Sequence, residues 1–139
     1  MFEYKHLSWL QFDDCIKSIS KSCSNLSLSG VYGFPRGGLC MSVALSHSLN
    51  IPLLDHPKSN SLIVDDIYET GLTFNKIKNL NNITAFVWFS KKDPLWWNSV
   101  EIVTSKQWVV FPWENISNAH DDRKIFLEKR NNIKKNNLY

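Results

Sequence analysis

Cysteine is scarce in this 139-residue sequence, and the three present, Cys15, Cys23 and Cys40, are odd in number and lack metal-ligand spacing. That argues against a disulfide framework or a zinc site, and it leaves free thiols buried in a reducing compartment as the expectation. Glycine and proline are also few, five each. No internal repeat is visible, and the one biased stretch is the Asn/Lys-rich end "NNIKKNNLY", expected to fray. No apolar run approaches the length of a membrane-spanning helix. The first residues, Met1-Phe2-Glu3-Tyr4-Lys5-His6, lack a signal-peptide pattern, so a cytoplasmic protein is expected. Excess charge of one sign is small as well, the net being +3. From Arg123 onward six basic residues face the single acid Glu128, which reads as a solvated helix end; nucleic-acid contact is not expected.

What is present is a globular composition, 43% hydrophobic and 21% charged, in a chain long enough for one domain with a sizeable core. Ser8-Trp9-Leu10-Gln11 has the form of a capping box. Trp9, Phe12, Ile16, Ile19 and Cys23 then recur at helical spacing, predicting a helix to about Cys23. "GVYGF" predicts a strand, and "PRGGLCMSVALSHSLN" a loop feeding a helix that stops near Asn50. "IPLL" and "SLIV" suit strands buried on both faces; "LTFNKIKNL" reads as a helix and "ITAFVWF" as a strand. The alternation predicts an α/β fold with a mostly parallel twisted sheet flanked by helices. Ligands of such sheets sit beyond the carboxyl ends of the strands. Three loops should converge there: Gly33 to Gly38, Asp65 to Thr73, and Ser90 onward.

The chemistry concentrates in "SLIVDDIYETGLTF", residues 61–74. An apolar strand delivers Asp65 and Asp66, and a glycine loop with two threonines opens the next helix. Backbone N–H groups in such a turn make an anion site, to which the Thr70 and Thr73 hydroxyls can add. Paired carboxylates at a strand end can accept from two vicinal hydroxyls, or hold Mg²⁺ through water. Phosphate donors beside diol acceptors point to a ribose 5-phosphate. An acidic turn capping a helix is the plainer alternative. In "GVYGFPRGGL", Gly37 and Gly38 permit close backbone approach to an anion, and Arg36 supplies a fork for phosphate oxygens.

"LIVDDIYETGLT" resembles the signature of the type I phosphoribosyltransferases: an apolar strand, two acids, two variable residues, an acid, Thr, Gly, a variable residue and Thr. The resemblance implies that Asp65 and Asp66 hold the ribose hydroxyls of phosphoribosyl pyrophosphate (PRPP). It implies that Glu69, Thr70, Gly71, Leu72 and Thr73 cradle the 5-phosphate. "GVYGFPRGGL" is similar to the family's pyrophosphate loop, assigning Arg36, Gly37 and Gly38 there and implying a cis peptide bond before Arg36. Lys58 matches a basic residue the family places near the pyrophosphate. "VWFSKK" and "WVVFPWE" resemble the base-binding hood of the xanthine-guanine branch. Lys91 would then meet the 6-oxo group, and Trp108 with Val109 would stack on the purine, followed by Pro112, Trp113 and Glu114.

The implied protein is a purine phosphoribosyltransferase using PRPP, Mg²⁺ and a 6-oxopurine, with Asp65, Asp66 and Glu69 catalytic and a homo-oligomer, dimer or higher, as the assembly. Its regions would be a single domain over 1–139: a core of about 8–90, a hood of about 91–118, and a C-terminal helix and tail of about 119–139. Two departures stand out. Glu69 replaces the Asp usual before Thr-Gly in the purine branch. Only Asp55 to Asn60 stand where the family carries a long flexible lid. The short lid favours, as an alternative, a PRPP- or nucleotide-binding module with weak or no turnover.

Overall fold

The structure, a computed structural model, describes residues 3–136. In chain order the elements are β1 (Glu3–His6), α1 (Trp9–Cys23), β2 (Val31–Gly33), α2 (Leu39–Leu49), β3 (Leu62–Tyr68), α3 (Leu72–Asn75), β4 (Thr84–Ser90), β5 (Asn98–Ile102), β6 (Gln107–Val110) and α4 (Ala119–Asn136). They form two compact units, Trp9–Ser105 and Met1–Ser8 with Lys106–Tyr139.

In the larger unit the strands run β2-β3-β4-β5, and every neighbouring pair is parallel. The mostly parallel α/β fold expected from the sequence is therefore present. Successive side chains of a strand point to opposite faces, and the two faces are filled differently. One carries Phe34, Ile63, Ala85 and Val87, packed with Phe74, Ile77 and Trp97 around α3. The alternate positions Leu62, Val64 and Trp88 are fully buried as well. Trp88 meets Phe12 of α1 at 5.9 Å between ring centroids. Such two-sided burial explains why "SLIV" and "ITAFVWF" read as continuous apolar runs.

α1 keeps the predicted limits, and its buried residues, Phe12, Cys15, Ile16, Ile19 and Cys23, lie on one stripe. α2 ends at Asn50, whose left-handed φ of 52° closes the helix. All three cysteines are free thiols, and burial pushes the Cys15 thiol up to about 12, with the Glu101 charge adding to it. Cys15 is therefore an inert packing group at neutral pH.

Three elements differ from the sequence expectation. "IPLL" makes a single bridge, Val31 to Leu53, instead of a strand. Pro52 has no N–H to give and contributes only its carbonyl, which accepts from Val31 N–H at 2.9 Å. The helix expected over "LTFNKIKNL" is α-helical only from Leu72 to Asn75 and continues as turns to Asn79. The apolar residues Phe74, Ile77 and Leu80 recur every three positions, a spacing that tighter winding satisfies better than 3.6. β3 runs on through Asp65 and Asp66 to Tyr68, so both acids lie within the strand and not beyond its end.

In the smaller unit β1 and β6 pair in parallel, with Tyr4 opposite Trp108. α4 continues through Asn136, so most of the tail expected to fray is helical, while residues 137–139 lie outside the described residues.

Candidate active site

The strand order itself locates a crevice. The chain leaving β2 passes through α2 to the edge, where Leu53 bridges the outer side of β2. The chain leaving β3 passes through α3 to β4, in the opposite direction. The order therefore reverses between β2 and β3, and parallel α/β sheets bind ligands at such a reversal, beyond the carboxyl ends. The segment after β2 is Phe34 to Gly38, and Asp65 and Asp66 lie at the middle of β3, ahead of its carboxyl end at Tyr68.

These two segments touch. A Cβ built on Gly37 would fall on the Asp66 carboxylate, and one built on Gly38 would lie 2.6 Å from the Val64 carbonyl oxygen. Only glycine lets the turn close this far onto β3. The Pro35–Arg36 peptide bond is cis, as the resemblance implies. Arg36 is exposed and has no carboxylate partner among the described residues.

Asp65 and Asp66 are anchored by backbone: Asp66 N–H donates to Asp65 Oδ1 at 2.9 Å, and Ile67 N–H donates to Asp66 Oδ1 at 2.8 Å. Neither has a basic partner among the described residues. Burial pushes the Asp65 carboxyl up from 3.8 to about 6. Burial, reinforced by the charge of Asp65, holds Asp66 well above the usual carboxylate range. Two adjacent acids short of counter-charge suit a cation or a pair of donor hydroxyls. No group of three or more His, Cys, Asp or Glu among the described residues could hold a metal by itself. A magnesium ion here would keep water and take substrate phosphate oxygens as its other ligands, as that ion commonly does.

Residues 69–71 form a bend between β3 and α3. Gly71 sits at φ 83°, and a Cβ there would also strike the Tyr68 hydroxyl. Thr70 Oγ1 accepts from Leu72 N–H at 3.4 Å. Thr73 and Asp65 together line a cavity of about 570 Å³ with Tyr32, Phe34, Pro35, Pro57, Lys76, Ile77 and Leu80. Of these, only Asp65 and Thr73 were among the residues named from sequence.

Glu69, assigned from sequence to the phosphate loop and to catalysis, and Lys91, assigned to the 6-oxo group, are direct partners. Lys91 Nζ lies 2.5 Å from Glu69 Oε1, each side chain only 11% exposed. The other carboxylate oxygen, Oε2, is buried and unpartnered among the described residues. Lys91 N–H also donates to the Tyr68 carbonyl at 2.9 Å, tying the end of β4 to the end of β3. Tyr68 in turn stacks on Trp97, centroids 3.8 Å apart, so Trp97 is a core ring.

The short connection in place of a lid is pinned. Ser29 N–H and Oγ both reach the Asn60 carbonyl, at 2.8 and 3.0 Å, and Asn60 N–H donates to the Asn81 carbonyl at 3.2 Å. Asn82 donates to the Asn60 side chain, and the Ser61 hydroxyl to the Lys58 carbonyl, each at 2.6 Å. Lys58 itself is exposed.

Trp108, Val109 and Glu114 belong to the smaller unit. Trp108 is half-buried with its ring 5.7 Å from Phe126, and Val109 is buried in β6. Glu114 folds back on its own turn, its N–H donating to the Phe111 carbonyl at 3.0 Å.

Comparison with known proteins gives one answer for the fold. No protein-family model matches the chain. It is 23% identical over 133 residues to a xanthine-guanine phosphoribosyltransferase of Chromohalobacter salexigens, covering 78% of this chain and 82% of that protein. A purine phosphoribosyltransferase from Pyrococcus horikoshii superposes with a TM-score of 0.67 at 23% identity, over 83% of this chain and 96% of that one. The xanthine-guanine-hypoxanthine phosphoribosyltransferase of Helicobacter pylori gives 0.63 at 16% identity, over 81% and 93%. The fold is that of the type I phosphoribosyltransferases. Within them, the resemblance is to the xanthine-guanine branch.

Proposed function

We propose that this chain is a purine phosphoribosyltransferase that moves the 5-phosphoribosyl group from PRPP to a 6-oxopurine and releases pyrophosphate. The observation that carries the reading is the contact between Gly37 and the Asp66 carboxylate at the strand-order reversal. It joins the loop suited to pyrophosphate to the acids suited to ribose, on either side of the bond that breaks.

In this reading the amides of the Gly37 turn and the Arg36 guanidinium take the charge of the departing pyrophosphate, charge stabilisation being the main catalytic contribution. Asp65 and Asp66 hold the ribose hydroxyls and face the positive charge that develops on the sugar. Magnesium, held by these acids through water, would neutralise phosphate charge when bound. Lys91 and Glu69 present a donor next to an acceptor, matching the carbonyl and N–H of an oxopurine and opposing an exocyclic amine. Glu69 Oε2 is the group able to take the base proton as N9 bonds to the sugar. As an enzyme of nucleotide salvage the chain would work in the cytoplasm, as a homo-oligomer; no helix of the described residues is long and apolar enough to cross a membrane.

The test is direct. Protein, PRPP and Mg²⁺ are mixed with guanine, xanthine, hypoxanthine or adenine, and nucleotide and pyrophosphate are measured. Nucleotide from one or more oxopurines and none from adenine is expected. Product from adenine alone overturns the base assignment, and no PRPP binding by calorimetry overturns the enzyme.

A further inference from the structure

PRPP is a polyanion, and the cations named from sequence are poorly placed for its 5-phosphate. Lys91 is committed to Glu69. Arg36 lies in the turn after β2, and Lys58 is exposed on the pinned connection. The segment from Glu69 to Thr73 contains a carboxylate and no cation.

Backbone geometry after α3 supplies one. Lys76 N–H donates to the Thr73 carbonyl at 3.2 Å, Ile77 to Phe74 at 3.1 Å, and Leu80 to Ile77 at 3.0 Å. Bonds of this i to i+3 kind wind three residues per turn, and side chains three apart then eclipse. Phe74, Ile77 and Leu80 form one row, on the core. Thr73 and Lys76 form another, and both line the cavity that holds Asp65. The Lys76 ammonium has no carboxylate partner among the described residues. Lys76 is exposed, and Tyr32, Phe34 and Pro57 supply apolar area to the same wall.

We propose that Lys76 binds the 5-phosphate of the phosphoribosyl donor, together with the Thr73 hydroxyl. The assignment rests on the phosphoribosyltransferase reading and names a residue that reading lacks. A merely solvated lysine would touch stability or nothing, and would not distinguish one phosphate of the donor from the other.

Calorimetry of wild type, Lys76→Met and Lys76→Arg with ribose 5-phosphate, and separately with magnesium pyrophosphate, decides the matter. Lys76→Met should weaken ribose 5-phosphate about tenfold or more, as loss of a charged hydrogen bond does, with pyrophosphate affinity and Tm unchanged. Lys76→Arg should retain most of the ribose 5-phosphate affinity. Equal ribose 5-phosphate affinity in wild type and Lys76→Met overturns the assignment and leaves the enzyme reading standing. So does an equal loss for both ligands. A wild type that binds neither ligand overturns the enzyme reading, and this assignment with it.

Discussion

Replacing Asp65 by Asn should make the ligand-free protein more stable while abolishing PRPP binding. The Asp65 carboxyl is raised by burial from 3.8 to about 6, and it has no basic ion-pair partner among the described residues. The sign follows from proton binding. Between those two values the folded state holds the proton more tightly than the unfolded state, so stability falls as pH rises through the window and stays reduced above it. The gap corresponds to about 3 kcal/mol, at roughly 1.4 kcal/mol per tenfold in proton affinity. Coupling to Asp66 shares that cost, so a gain of about 1–3 kcal/mol for Asp65→Asn at pH 8 is expected. The amide oxygen can still accept from Asp66 N–H, which preserves the local backbone bond. Urea denaturation at pH 8 and at pH 4 measures the difference. The variant's advantage should be present at pH 8 and nearly gone at pH 4, where Asp65 is largely protonated in the folded protein. A variant less stable than wild type at pH 8, or an advantage independent of pH, would refute the argument. For PRPP binding the sign is opposite: affinity should fall as pH drops through about 6, as Asp65 takes up its proton.

Gly37→Ala should cut pyrophosphate affinity by at least about tenfold, because its Cβ falls on the Asp66 carboxylate and forces the turn away from β3; calorimetry with magnesium pyrophosphate reads this. Lys91→Met should cost about 3–5 kcal/mol of stability by leaving Glu69 buried without its partner, and the double change with Glu69→Gln should recover much of it. A double-mutant cycle by urea denaturation measures the coupling. PRPP hydrolysis should accompany transfer, because a connection pinned at Asn60 and Ser61 cannot fold over the site to exclude water. Ribose 5-phosphate release with and without base quantifies it, and transfer without hydrolysis would show that another segment closes the site.

The acid loop and the glycine turn were legible because their chemistry is local. Asp65, Asp66, Gly71 and Thr73 lie within nine residues, and a buried parallel strand leaves a continuous apolar signature ahead of them. The α1 stripe and the Asn50 stop were legible for the same reason, each being set by neighbours in sequence. Contacts between distant segments were not. β1 and β6 lie about a hundred residues apart, and "EYKH" carries no alternation that would announce a strand. The pairing of Glu69 with Lys91 depends on the β3–β4 register, in which Tyr68 sits opposite Ser90, and neither residue reveals that alone. Lys76 had a local signal in the three-residue spacing of Phe74, Ile77 and Leu80. Its place beside Thr73 and Asp65 emerged only when that turn packed on the sheet. By itself the sequence determined which groups could carry the chemistry, since residue type and short-range geometry set them. Tertiary structure decided which groups neutralise one another and which stay free, because buried charges answer to neighbours in space.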